Sequence, residues 1–125
     1  RKREILLAYK KHFADVPDVI LNEESSTVSN GAWATSMVVG SSYGITKKEI
    51  MNELKARGFP ARPFFYPLSF LPAYAHYGTG SEALNPVAYR VSSRGITLPA
   101  SYDLTDEQIG RYATALKEIL AAHRV

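Results

Sequence analysis

Cysteine is absent from this 125-residue chain. That excludes a disulfide framework and any thiolate metal site, and it fits a reducing compartment, so the expected location is cytoplasmic. No apolar run approaches the ~20 residues needed to cross a bilayer, so no membrane partner is expected. No stretch shows the zones of a signal peptide. No long block of one charge sign stands out either: fifteen basic residues are interspersed with twelve acidic ones, for a net charge of +3. Nucleic acid is therefore not an expected partner, because its footprint needs a clustered basic face. The one basic cluster, Arg1, Lys2, Arg3, Lys10 and Lys11, falls on a single amphipathic helix and reads as a solvated face. The three histidines, His12, His76 and His123, lack metal-ligand spacing. There is no nucleophile elbow and no phosphate-cradling glycine loop. A self-contained catalytic motif is thus missing.

The length is that of one domain, long enough to bury a core without a metal or disulfide staple. Residue 1 is Arg and the first helix begins without a capping residue, which reads as a chain cut from something longer. Residues 1–15 carry Ile5, Tyr9, His12, Phe13 and Val16 on one helical face, and Pro17 stops the helix. Residues 19–21 form a short apolar strand. Residues 22–31 read as a polar loop with little to pack. Residues 32–39 read as a strand, with Trp33, Thr35, Met37 and Val39 on one face. Trp33 is expected in the core.

Residues 46–57 carry the clearest signals. Thr46 and Glu49 make a capping box, Ile45 and Ile50 a hydrophobic staple, and Gly58 a left-handed stop. Asn85-Pro86 starts a helix to about Arg94, ended by Gly95. Residues 96–98 form a strand. Thr105 and Gln108 cap the last helix, whose inner face is Ile109, Tyr112, Ala113, Leu116, Ile119 and Leu120. Residues 78–81 read as a flexible loop. The expected class is α+β: a two-layer domain with a small sheet of three to four short strands and helices packed on one face.

Residues 58–74 hold four of the seven prolines and six of the thirteen Phe and Tyr residues. Pro60 and Pro63 push their preceding residues out of helix, so the chain leaves extended, and residues 61–65 read as a further strand. This leaves a rigid aromatic segment presenting one guanidinium, Arg62. Two readings stay open. Arg62 is a surface residue stacked on Phe64 or Tyr66, or it is a guanidinium that grips a phosphate or carboxylate.

The stretch Ala61-Arg-Pro-Phe-Phe-Tyr-Pro-Leu-Ser-Phe-Leu-Pro-Ala-Tyr74 resembles the C-terminal part of the DegT/DnrJ/EryC1/StrS family. Gly31-Ala-Trp-Ala-Thr-Ser-Met-Val-Val39 is similar to that family's first small-domain strand. Asn85-Pro-Val-Ala88, Gly95-Ile-Thr-Leu-Pro-Ala-Ser101 and Leu104-Thr-Asp-Glu107 follow in the family's order. The resemblance covers nearly all of the chain. It implies the small C-terminal domain of a fold-type I aminotransferase that uses pyridoxal phosphate. Such an enzyme moves an amino group from an amino acid, typically glutamate, to a nucleotide-linked keto-sugar, and is usually a homodimer.

In that family the Schiff-base lysine and the groups holding the cofactor lie in the other domain. The resemblance therefore implies no catalytic and no cofactor-binding residue here, and no activity for this chain alone. It carries substrate contacts onto Arg62, Phe64, Tyr66 and Ser69. The family commonly reads Leu-His-Leu-Gln-Pro where this chain has Leu68-Ser-Phe-Leu-Pro72, so Ser69 and Leu71 remove an imidazole and an amide. A reading from another class treats the chain as a stand-alone α+β binding module that docks through its aromatic segment.

Overall fold

Two capping boxes fix where the main helices start. The computed structural model describes residues 1–77 and 82–125. In helix α2 (Lys47–Ala56) the Thr46 hydroxyl accepts from the Glu49 N–H at 3.3 Å, and the Glu49 carboxylate accepts from the Thr46 N–H at 2.8 Å. Helix α4 (Asp106–Ala122) repeats the device with Thr105 and Gln108, at 3.2 and 2.9 Å. Ile45 and Ile50, the staple of α2, are both buried. Helix α1 (Lys2–His12) has no side-chain cap and is held by packing instead.

Strands β1 (Val19–Leu21), β2 (Thr35–Val39), β3 (Arg62–Pro63) and β4 (Gly95–Leu98) form one antiparallel sheet in the order β1-β2-β4-β3. Along β2, Thr35, Met37 and Val39 are buried and Ser36 and Val38 half-buried, the period-2 signature of a sheet with one face in the core. Helices α1, α2 and α4 pack against the Met37 face; Ile5, Leu6, Tyr9, Leu54, Ile109, Leu116 and Ile119 are almost wholly withdrawn from water there. Each such Leu or Ile contributes about 1.5–3 kcal/mol relative to an exposed position. Tyr9 and Tyr112 meet edge to face at 6.1 Å, and burial pushes both phenols well above their ordinary pKa. Helix α3 (Pro86–Arg94) lies on the other side. With Ile20, Ser36 and Val38 it lines a cleft over the opposite face of the sheet.

Several expectations are corrected. On α1, His12 is exposed and Leu6 takes its place in the buried stripe of Ile5, Leu6, Tyr9 and Phe13. The polar loop after β1 is tied down rather than bare. Asn22 takes the Ser36 N–H at 2.7 Å and donates to the Ala34 carbonyl at 2.9 Å. Asn30 accepts from the Ala32 N–H at 2.8 Å, and Glu24 accepts from the Asn30 N–H at 2.7 Å. The basic cluster serves the fold. Arg3 pairs with Glu24 at 2.8 Å, Lys10 reaches the Asn22 carbonyl at 2.9 Å, Lys2 bonds the Ala100 carbonyl, and Arg1 bonds the Leu104 carbonyl and Glu4.

Trp33 departs furthest from expectation. Ala32 sits at φ 50°, in the left-handed region, and β2 begins only at Thr35. The chain turns there, and Trp33 ends 74% exposed instead of in the core. The strand expected at residues 61–65 pairs only over Arg62–Pro63. The loop read at residues 78–81 lies outside the described residues.

Candidate functional site

A tight helix stop aims the aromatic-proline segment. Gly58 takes φ 80°, the Phe59 N–H bonds the Leu54 carbonyl at 2.8 Å, and the Gly58 N–H bonds the Lys55 carbonyl at 3.0 Å. This paired arrangement reverses the chain at the end of α2 and needs glycine at the left-handed position. Phe59 then packs edge to face on Tyr112 at 5.6 Å, and the Tyr112 hydroxyl donates to the Pro60 carbonyl at 3.1 Å. The segment is thereby anchored to α4 before it reaches the sheet. Arg62 pairs with Thr97 and Pro63 with Ile96 at the free edge of the sheet, where a proline without N–H is tolerated. Two short 3-10 turns, Leu68–Phe70 and Pro72–Tyr77, carry the chain onward over the surface.

The four candidate substrate-contact residues take different environments. Arg62 is exposed, and its guanidinium makes no hydrogen bond or ion pair among the described residues. It lines an open groove of about 470 Å³ with Trp33, Pro60, Ala61, Leu98 and Pro99. Phe64 is half-buried; its N–H bonds the Gly95 carbonyl at 2.9 Å, and its ring faces the separate cleft beside Val38, Val87 and Val91. Tyr66 is half-exposed, stacked on Phe70 at 5.2 Å with the Lys47 ammonium 5.2 Å from its ring centroid. Ser69 is half-buried, and its hydroxyl lies 3.3 Å from that of Tyr89 on α3. The structure therefore brings Arg62 and Phe64 to one sheet edge but not into one cavity. Arg62 stacks on neither Phe64 nor Tyr66.

Two contributors were not legible in the sequence. Trp33 joins the Arg62 groove and stacks on Phe65, with ring centroids 6.4 Å apart and planes 20° from parallel. Lys47 supports Tyr66 while bonding the Ser92 carbonyl at 2.5 Å. Only the exposed ammonium–aromatic pairing could have flagged Lys47, and its partner lies nineteen positions away in sequence. Beyond Trp33, the segment that follows β3 leaves Phe65, Tyr66, Leu68, Phe70, Tyr74 and Tyr77 exposed, a concentration far above scattered surface apolars.

The model of the DegT/DnrJ/EryC1/StrS aminotransferase family matches residues 1–117. The chain belongs to this family. Among relatives, GDP-perosamine synthase of Vibrio cholerae is 29% identical over 116 residues, covering 93% of this chain and 31% of that protein. GDP-perosamine synthase of Escherichia coli O157:H7 is 31% identical over 109 residues, covering 87% and 28%. The chain thus spans less than a third of the length of either relative. Among solved structures, Helicobacter pylori PseC, an aminotransferase involved in the biosynthesis of pseudoaminic acid, superposes with a TM-score of 0.81 at 19% identity over 97% of this chain and 32% of that one. That likeness speaks for the fold. DesI, crystallised in the presence of its TDP-sugar product, matches with a TM-score of 0.72 at 25% identity over 94% of this chain and 30% of that one.

The family is one of pyridoxal-phosphate-dependent aminotransferases, and the lysines of this chain do not fit the cofactor's covalent site. None is buried. Lys2, Lys10 and Lys47 are bonded to backbone carbonyls, and Lys117 is paired with Asp15 at 2.8 Å. A Schiff-base lysine needs a desolvated pocket that favours its neutral amine.

Proposed function

We propose that this chain is the C-terminal small domain of a pyridoxal-phosphate-dependent sugar aminotransferase, and that it supplies the substrate side of the active site. The complete enzyme would transfer an amino group from an amino acid, glutamate in this reading, to a nucleotide-linked keto-sugar. Arg62 carries the reading. An exposed guanidinium without a partner among the described residues stands at a sheet edge, fixed by two backbone pairings and flanked by exposed aromatics. Such a group is available to hold an anionic substrate, which a charged hydrogen bond favours by about 1.5–3 kcal/mol. The names of the perosamine synthases and of DesI, with their GDP and TDP sugars, support a nucleotide-sugar as that anion.

In this assignment Arg62 grips the phosphate, and the Tyr66 hydroxyl, its ring in contact with Lys47 and Phe70, reaches the sugar. Phe64 fixes β3 against Gly95. Ser69, bonded to Tyr89, keeps the first 3-10 turn in place beside the substrate. When bound, pyridoxal phosphate supplies the electron sink for amino transfer; the residues that hold it belong to the rest of the enzyme. The exposed aromatic segment would be covered by that remainder or by the second subunit of a homodimer. In this reading the enzyme works in the cytoplasm.

The test joins two measurements. The complete protein should move an amino group from glutamate to a GDP- or TDP-linked keto-sugar. The 125-residue chain mixed with pyridoxal phosphate should give no aldimine absorbance. A borohydride-trapped adduct at one defined lysine of this chain would sink the division of labour.

A further inference from the structure

We infer that Trp33 and Arg62 form the two ends of a nucleotide subsite: the indole stacks the base while the guanidinium holds the diphosphate. The inference rests on the reading of this chain as the substrate side of a nucleotide-sugar enzyme, and it assigns which residues recognise the nucleotide.

Four observations carry it. The first is presentation. Trp33 is 74% exposed, yet its backbone is pinned on both sides, by Asn30 bonding the Ala32 N–H at 2.8 Å and Asn22 bonding the Ala34 carbonyl at 2.9 Å. The second is strain. Ala32, immediately before it, is buried at φ 50°, a conformation disfavoured for any residue with a Cβ and kept only where surrounding contacts over-determine it. The effect of that strain is to turn the indole out of the sheet. The third is the ring itself: Phe65 lies nearly parallel beside it, so the indole is braced while most of its surface remains in water.

The fourth is the chemistry of the groove. Its apolar lining comes from Pro60, Ala61, Leu98 and Pro99, and no acidic residue lines it. Its two cations differ. Lys2 is committed to the Ala100 carbonyl, whereas Arg62 has no partner among the described residues. The groove thus offers one rigid aromatic plane, an apolar floor and one available guanidinium. A ligand matching all three has a flat ring at one end and an anion at the other. A nucleoside diphosphate has both: base–aromatic stacking tolerates any base, and a guanidinium meets phosphate oxygens in bidentate fashion.

Trp33 is the sole tryptophan, so emission excited on the red side of tyrosine absorption reports on this groove. GDP titrated into the 125-residue chain should quench that fluorescence saturably. Inorganic pyrophosphate should compete with GDP yet cause no quenching of its own. Arg62→Ala should weaken GDP binding about 10-fold or more. Trp33→Ala, followed by calorimetry, should weaken it about 10-fold, and Trp33→Phe should retain most of the affinity. Both side chains are exposed, so unchanged circular dichroism will show that the variants still fold. Absence of saturable quenching by GDP, or affinity unchanged in both alanine variants, overturns the subsite.

Kinetics on the complete enzyme separate this inference from the reading beneath it. Trp33→Ala should raise the KM for the nucleotide-sugar about 10-fold and leave the KM for the amino donor unchanged. An active enzyme whose nucleotide-sugar KM ignores Trp33 would refute the subsite alone. Nucleotide binding as described, without amino transfer to any nucleotide-sugar, would refute the aminotransferase reading alone.

Discussion

Substituting Gly95 by alanine tests whether close packing, rather than backbone freedom, requires glycine at the centre of the sheet. Gly95 has φ −90° and ψ 137°, ordinary extended values for any residue. Replacing glycine there should, by itself, stabilise the fold by about 0.4–1 kcal/mol through the entropy of the unfolded chain. The structure opposes this. A Cβ at position 95 would lie 2.6 Å from the Val91 carbonyl oxygen and 2.7 Å from the Phe64 Cβ. Neither neighbour yields easily. The first is backbone in the last turn of α3. The second is anchored by the bond between the Phe64 N–H and the Gly95 carbonyl at 2.9 Å. Overpacking of this kind costs typically 1–3 kcal/mol. The net expectation is a loss of about 1–2 kcal/mol, or about 4–8 °C in Tm for a domain of this size. Strand β3 should also move away from β4, carrying Arg62 with it. Urea denaturation with an unchanged m-value would measure the loss. A neutral or stabilised Gly95→Ala variant would show that the contacts relax freely and would refute the packing argument.

Other outcomes follow from the same geometry. In the complete enzyme, Arg62→Ala should lower kcat/KM for the nucleotide-sugar by about 10–100-fold without changing Tm, because the side chain is exposed and spends no internal contact; unchanged steady-state kinetics would make Arg62 a surface residue. Thr105→Ala removes the acceptor of the Gln108 N–H and should cost ~1 kcal/mol in chemical denaturation. The Arg3 hydrogen bond, helped by the Asn30 N–H, holds the Glu24 carboxyl below its ordinary pKa. A depressed carboxylate contributes stability above its unfolded pKa and loses it as pH falls through the folded one. Hydrogen exchange at the amides of Asn30 and Ala32 should therefore accelerate, relative to the core, as pH drops through and below the carboxylate range. Glu24→Gln should remove that dependence.

Local chemistry made much of the fold legible. The capping residues Thr46, Glu49, Thr105 and Gln108, the stop at Gly58 and the apolar periodicity of α4 act within a few positions of one another, so their patterns survive in a linear sequence. The motif order that marks the family is likewise linear, and it points to Arg62. Trp33 shows where that reasoning ends. Strict alternation put it in the core beside Thr35, because alternation assumes an unbroken strand. The break at Ala32 is held locally by Asn30, which accepts from the Ala32 N–H, and at longer range by Asn22, which bonds Asn30 and the Ala34 carbonyl across eight and twelve positions, while Arg3 and Lys10 secure the loop from α1. The bonds of the basic cluster lie out of reach for the same reason: its acceptors, such as the Ala100 and Leu104 carbonyls, are about a hundred residues away. Sequence by itself determined the starts of the two capped helices, the stop at Gly58 and the family. Tertiary structure alone decided which side chains share a groove, because that depends on pairings between distant segments that no local pattern encodes.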